Sequence, residues 1–232
     1  EDVKLYILCN PHNPGGLVWT KETLQRLADF CFDHHLLVVS DEIHADMPLF
    51  GHQHTPFASV NDKAAAISIT FQAPTKTFNI AGIVSAYTIV PNENIRKVFF
   101  DWLAANELDE PHLFAPIATI AAFREGEAWR KQMIHYVESN ILFVETFCKE
   151  HMPAIKPLRP QASFLIWLDC RALHLSHDEL LHLFIDEAHL ALNDGEMFGP
   201  GGEGYMRLNV GCPRKLVEQA LQQLCEAVQH HV

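Results

Sequence analysis

The 232 residues carry 17 Lys and Arg against 29 Asp and Glu, a formal charge of −12 with no basic stripe, which argues against nucleic acid as a partner. An apolar fraction of 48% with 20% charged residues belongs to a folded chain rather than a disordered one, and no apolar run approaches the ~18–20 residues that span a bilayer. The six cysteines (Cys9, Cys31, Cys148, Cys170, Cys212, Cys225) show no C-x-x-C and no paired spacing, so they read as free, mostly buried thiols of a reducing compartment.

The chain opens without Met on "EDVKLYILCN", a charged pair running straight into a strand-like segment. A fold that begins on a buried central strand is uncommon, and the expectation is a segment of a longer polypeptide. "KLYILCN" reads as a strand. "KETLQRLADFCFDHH" repeats apolar residues at helical spacing through Leu24, Leu27, Phe30 and Cys31, with Thr20 as N-cap and Trp19 placed to staple onto Leu24. "LLVVSDEI", "AAAISITF" and "SAYTIV" read as three further strands. Their continuous apolar character predicts a sheet covered on both faces, hence an α/β class.

From Pro91 the pattern turns helical, and "EAWRKQMIHYVESNILFVETFCKEHM" is one long helix stopped by Pro153. "SFLIWLDC" is then a strand and "SHDELLHLFIDEA" a helix with a Ser176–Glu179 capping box. "LALNDG" and "YMRLNV" are strands, and a last helix starts near Arg214 behind Pro213. The expected organisation is an α/β part over 1–127, a connecting helix over 128–152 and a smaller α+β part over 153–232.

Four places carry candidate chemistry. In "NPHNPGG" two Asn-Pro elbows hold the Asn13 amide at a strand's C-terminal end, the edge where open α/β sheets bind ligands; the plain alternative is a turn. Asp41 ends the strand in "SDEIHADM". It is either a loop acid or a carboxylate that keeps a proton on a cationic ring nitrogen inside a cleft. Lys76 follows a strand in "QAPTKTFNIAG". A lysine buried there without a counter-charge becomes a usable amine nucleophile, whereas an exposed one is ordinary. Arg207 stands in the apolar strand of "GYMRLNVGCPR" and needs an anion, either a ligand carboxylate or a structural salt bridge.

In that order, NPHNPGG, DEIHAD, APTKTFNIAG and RLNVGCPR resemble the fold type I pyridoxal-phosphate enzymes of the aspartate aminotransferase superfamily, and more narrowly their cystathionine β-lyase (MalY/PatB) branch. The resemblance covers essentially all of the chain, "NDGEMFG" included. It implies the C-terminal portion of a fold type I enzyme: part of the large mixed-sheet domain plus the small α+β domain. It also implies pyridoxal 5'-phosphate as cofactor, Lys76 as the residue forming the internal aldimine, Asp41 on the pyridinium nitrogen, Asn13 on the phenolic oxygen and Arg207 on the substrate α-carboxylate. The implied activity is carbon–sulfur β-elimination on cystathionine- or cysteine-type amino acids in a cytoplasmic homodimer. An aminotransferase using the same residues and an aminotransferase-like effector domain of a transcription regulator are the alternatives.

Departures from the superfamily pattern concern the cofactor's oxygens. His44 stands where many members have tyrosine, Val84 where many have a phosphate-binding arginine, and Ala73 where many have serine. The phosphate then depends on Thr75 or on groups outside the chain, where the superfamily's N-terminal region holds its Gly-rich loop and ring-stacking aromatic. His44, His52 and His54 near Asp46 lack metal-ligand spacing, so no metal is expected. "GPGGEG" leads into a strand rather than a helix and reads as a turn.

Overall fold

The computed structural model describes residues 3–230. The chain divides into two compact units, one holding the residues up to His12 together with Leu17–Gln132, the other Asn13–Gly16 together with the residues from Met133 onward.

The first unit is built on a four-stranded sheet. Strand β1 (Leu5–Cys9) leads through helix α1 (Lys21–Asp33) to β2 (Leu37–Asp41), which lies parallel to it with Cys9 opposite Asp41. Thr20 caps α1, accepting from the Thr23 amide at 3.2 Å, and Leu24, Ala28 and Cys31 line its buried face. These pack with Leu8, Val38 and Phe57, and Trp19 closes the cluster from the side while its indole N–H donates to the Cys9 carbonyl at 3.0 Å. Phe30, placed by spacing on the same stripe, is instead 55% exposed and leans on His34.

The "AAAISITF" segment is not one strand. Asn61 caps a short helix, α2 (Asp62–Ile67), by accepting from the Ala64 amide at 2.8 Å, and the strand β3 (Ser68–Gln72) begins only at Ser68. Three alanines cost no side-chain entropy in a helix, so with a cap in place the helix wins. β3 is parallel to β2, with Phe71 opposite Asp41, and the four-residue helix α3 (Pro74–Thr77) follows it. β4 (Tyr87–Ile89) runs back antiparallel to β3 and makes the sheet mixed. Helices α4 (Glu93–Ala105) and α5 (Ala115–Glu125) follow, and α6 (Glu127–His151) starts here.

The expectation that both faces of this sheet are covered fails at its β1 side, where Leu5 and Tyr6 are exposed and Ile7 is 69% exposed. The apolar run of that strand was read correctly as a strand, but the described residues supply packing for only part of it.

The second unit carries most of α6 and an antiparallel sheet in the order β5 (Lys156–Leu158), β6 (Leu165–Asp169), β8 (Tyr205–Asn209), β7 (Asn193–Asp194). Helix α7 (His177–His182) begins with the Ser176–Glu179 capping box and widens into a π turn over Leu183–Glu187. Helix α8 (Arg214–Gln229) starts directly after Pro213 and buries Val217, Leu221 and Leu224. The "LALNDG" strand shrinks to two residues, and the glycines between β7 and β8 form a turn with Gly199, Gly201 and Gly204 at positive φ.

Candidate active site

Two clusters of polar side chains correspond to the expected site residues, one in each unit. In the first unit Asp41 and Lys76 follow from two adjacent parallel strands. Asp41 is the last residue of β2, half-buried, and its main-chain oxygen accepts from the Asn10 amide at 2.9 Å. Its Oδ1 accepts from the Ile43 amide at 3.2 Å, the local turn an aspartate favours, and Oδ2 is left open. His44 is buried in the turn that follows, where the Ala45 amide donates to the Glu42 carbonyl and the Met47 amide to the His44 carbonyl.

β3 ends at Gln72, and Pro74 then starts α3 with its fixed φ, so Thr75 and Lys76 project from one short turn at the C-terminal edge of the sheet. Lys76 is exposed, the second of the two settings left open for it, and Thr75 is half-buried. The neighbouring Thr77 hydroxyl is fully buried and has no hydrogen-bond partner among the described residues.

The acid next to Asp41 did not figure among the sequence candidates. Glu42 is 1% exposed, and four donors converge on its carboxylate. Ser40 Oγ (2.8 Å) and the Phe57 amide (2.9 Å) reach Oε1, while His54 Nε2 (2.8 Å) and Gln72 Nε2 (3.4 Å) reach Oε2. The Tyr87 hydroxyl donates to Gln72 Oε1 at 2.6 Å. Burial, then the negative charges of Asp46 and Glu42, push the Tyr87 hydroxyl up to about 12, so it remains a donor. His54 and Gln72 also line a cavity of about 510 Å³ with Asp46, Phe78, Phe123 and Arg130. There burial raises the Asp46 carboxyl above its ordinary value, while Arg130 and His54 pull it back. Among the described residues no three His, Cys, Asp or Glu side chains are grouped to hold a metal ion.

In the second unit Arg207 lies on β8 between Trp167 of β6 and Asn193 of β7. Its Nη1 donates to Asn13 Oδ1 at 2.7 Å and its Nη2 to Asn193 Oδ1 at 2.6 Å, and the guanidinium sits over the Phe198 ring at 4.8 Å. Among the described residues Nε is buried without a partner, and desolvation lowers the pKa of the group. No carboxylate pairs with Arg207 among the described residues, so the structural salt bridge weighed from sequence is absent; two neutral amides hold the fork instead.

Asn13 reaches this position through a tightly built turn. Both Asn10–Pro11 and Asn13–Pro14 peptides are cis. Gly16 has φ +67°, a Cβ there would meet Pro160 Cβ at 2.5 Å, and its carbonyl accepts from the Gln161 amide at 2.8 Å. Any side chain at this glycine would push the turn off the loop it rests on. Asn193 was missed from sequence because its signal is only that of an ordinary polar turn residue in "NDG".

Residues 1–224 match the family described as Aminotransferase class I and II. The chain is 44% identical over 226 residues to cystathionine beta-lyase PatB of Bacillus subtilis (strain 168), which covers 97% of this chain and 58% of that protein. It is 32% identical over 228 residues to protein MalY of Escherichia coli (strain K12), covering 98% and 58%. The crystal structure of cystalysin from Treponema denticola, which contains a pyridoxal 5'-phosphate cofactor, matches with a TM-score of 0.95 at 33% identity over 98% of this chain and 58% of that one. The chain thus spans 58% of the length of these relatives. The mixed sheet of the first unit and the antiparallel sheet of the second are, as expected, the C-terminal portion of a fold type I architecture. With 224 consecutive residues matched, the chain belongs to the class I and II aminotransferase family.

Proposed function

We propose that the polypeptide containing this chain is a pyridoxal-phosphate-dependent carbon–sulfur β-lyase, converting cystathionine- or cysteine-type amino acids to pyruvate, ammonia and a thiol. The 44% identity to a cystathionine β-lyase carries the choice of reaction. The donor set fits the cofactor. An exposed amine (Lys76) and a carboxylate with one open oxygen (Asp41) stand at neighbouring strand ends, and a buried imidazole (His44) lies three residues beyond Asp41. When bound, pyridoxal phosphate supplies an electron-poor ring that accepts the electron pair left at Cα.

The chain's own residues provide the rest. Lys76 would hold the cofactor through its amine and, with substrate bound, would take the Cα proton at Nζ as general base. Asp41 Oδ2 would hold the proton on the cofactor's ring nitrogen, since neutralising either partner alone strands a charge. Asn13, whose Oδ1 accepts from Arg207 Nη1, would serve the cofactor's phenolic oxygen, the role the family resemblance gives it. His44 serves the same oxygen, and Thr75 the phosphate. Arg207 meets the substrate α-carboxylate with Nε, its buried donor without a partner.

On this reading residues 1–127 are the C-terminal part of the larger cofactor-binding domain, 128–152 the connecting helix and 153–232 the small domain. The enzyme is a cytoplasmic homodimer without nucleic-acid or membrane partners. The homodimer follows from family resemblance. The charge of −12, the free cysteines and the absence, among the described residues, of a helix long and apolar enough to cross a membrane fit the rest.

The test uses the full-length polypeptide loaded with pyridoxal phosphate. Incubation with cystathionine is expected to release pyruvate and thiol, and Lys76→Ala is expected to abolish both the visible cofactor band and turnover. New amino acid formed from 2-oxoglutarate, without thiol release, identifies an aminotransferase instead. Wild-type turnover in Lys76→Ala overturns the assignment altogether.

A further inference from the structure

Side chains alternate along a strand, so Ser40 and Glu42 lie on the face of the sheet opposite Asp41. Gln72 shares the face of Ser40 and Glu42, because Phe71 is the residue opposite Asp41. Glu42 therefore reaches no group that Asp41 touches. It collects instead the end of β2 (Ser40), the loop after it (His54 and Phe57) and the end of β3 (Gln72, four residues before Lys76). Tyr87 of β4 joins through Gln72, and the Glu42 amide donates to the Phe71 carbonyl at 2.9 Å.

A buried carboxylate is costly to desolvate, and apolar packing would join these segments more cheaply. What a carboxylate offers uniquely is acceptor capacity for about four donors with no donor of its own. We propose that Glu42 is a positioning residue: its buried carboxylate fixes the strand end bearing Asp41 against the strand end bearing the Lys76 turn, so that the two groups keep the spacing the cofactor needs. The inference rests on the reading of Asp41 and Lys76 as cofactor-binding groups.

The geometry predicts how Glu42→Gln fails. The Phe57 amide cannot turn away, so the new amide oxygen must face it, which sets the new NH2 against His54 and Gln72. His54 can answer by presenting Nε2 as an acceptor. Gln72 can answer only by turning its amide over, which ends the donation from Tyr87 and makes that hydroxyl the acceptor. The link from β2 to β3 is then the one that must rearrange. Gln72→Leu cuts the same link from the other side and leaves Glu42 with three donors.

The experiment strips the full-length polypeptide of cofactor and titrates it with pyridoxal phosphate. It reads the dissociation constant, the pH midpoint of the visible band and the melting temperature of the cofactor-free protein. The titratable groups nearest the network in that pH titration are Asp46, His54, Tyr87, Glu127 and Arg130. Glu42→Gln and Gln72→Leu are expected to weaken cofactor binding about 10- to 100-fold, the range typical of partners that orient a ligand, and to move the midpoint. Glu42→Asp, which keeps the acceptor set on a shorter stem, is expected to recover part of the loss. Leu221→Ala, a core truncation on α8 in the second unit, supplies the comparison for lost stability alone.

Wild-type dissociation constant and midpoint in a folded Glu42→Gln or Gln72→Leu overturn the proposal. So does an equal shift in Leu221→Ala, which would mark the role as purely structural. If Glu42→Gln does not fold, Gln72→Leu decides. A wild-type protein that binds no pyridoxal phosphate overturns the functional reading as well. A Lys76-dependent band that is unchanged in the Glu42 and Gln72 variants overturns this inference alone.

Discussion

Arg207→Lys isolates the value of a fork from the value of a charge. A guanidinium has five N–H donors. Asn13 and Asn193 each take one, at 2.7 and 2.6 Å, which leaves Nε–H and one hydrogen on each Nη for an incoming carboxylate. Lysine keeps the charge and most of the stem but gathers its donors at one point. It cannot satisfy both asparagines and a bidentate carboxylate together. The expected loss is one charge-assisted hydrogen bond to substrate, about 1.5–3 kcal/mol, or about 10- to 150-fold in kcat/KM. The assay is thiol release by the full-length enzyme from cystathionine, run beside a thioether amine that lacks the α-carboxylate. The substrate is expected to lose the full factor in the variant and the analogue almost none, with pyridoxal phosphate binding unchanged. A fall of less than about threefold with cystathionine, or an equal fall with both compounds, refutes the assignment of Arg207 to the carboxylate.

Two stability predictions follow from the first unit. Leu24 is fully buried against Leu8, Val38 and Phe57, so Leu24→Ala is expected to cost about 2–5 kcal/mol, read as a lower urea midpoint, whereas the half-buried Leu27→Ala costs less. Asp46 has its folded-state pKa raised above its ordinary 3.8, mainly by burial, so the folded protein holds that proton more tightly than the unfolded chain. Its contribution is therefore greatest below pH 3.8 and is lost as pH rises through the raised value. Asp46→Asn is expected to remove that decline, flattening the melting temperature between pH 4 and 7 by comparison with wild type and raising it at the upper end.

The features legible in sequence are those set by neighbours within a few residues. Thr20 and Ser176 cap their helices because the partners lie three residues away. β2 ends on Asp41 where its apolar run stops, and Lys76 sits past β3 because Pro74 cannot continue the ladder. Where two local preferences compete, the reading fails. "AAAISITF" has the apolarity of a strand, and only Asn61, four residues before Ala65, reveals that its first half is helical. Phe30 satisfies helical spacing to within one residue, and that one residue turns it to solvent.

What sequence could not supply are bonds between distant polar groups. Glu42 draws donors from positions 40, 54, 57 and 72, and Asn13 meets Arg207 across 194 residues. No periodicity records such a meeting. The charge pattern also misled, since an arginine in an apolar strand suggests an acid nearby, and 29 acids were available. A carboxylate on Arg207 would have neutralised it and filled its fork. Asparagine oxygens orient the guanidinium through hydrogen bonds while leaving its charge uncompensated, and the Phe198 face beneath it is compatible with a cation. Desolvation of Arg207 without a counter-charge is a standing cost to the fold, and an anion that arrives at Nε removes it. The neutrality of its partners thus suits Arg207 to the proposed binding role, where an acidic partner would have suited it to that of a strut.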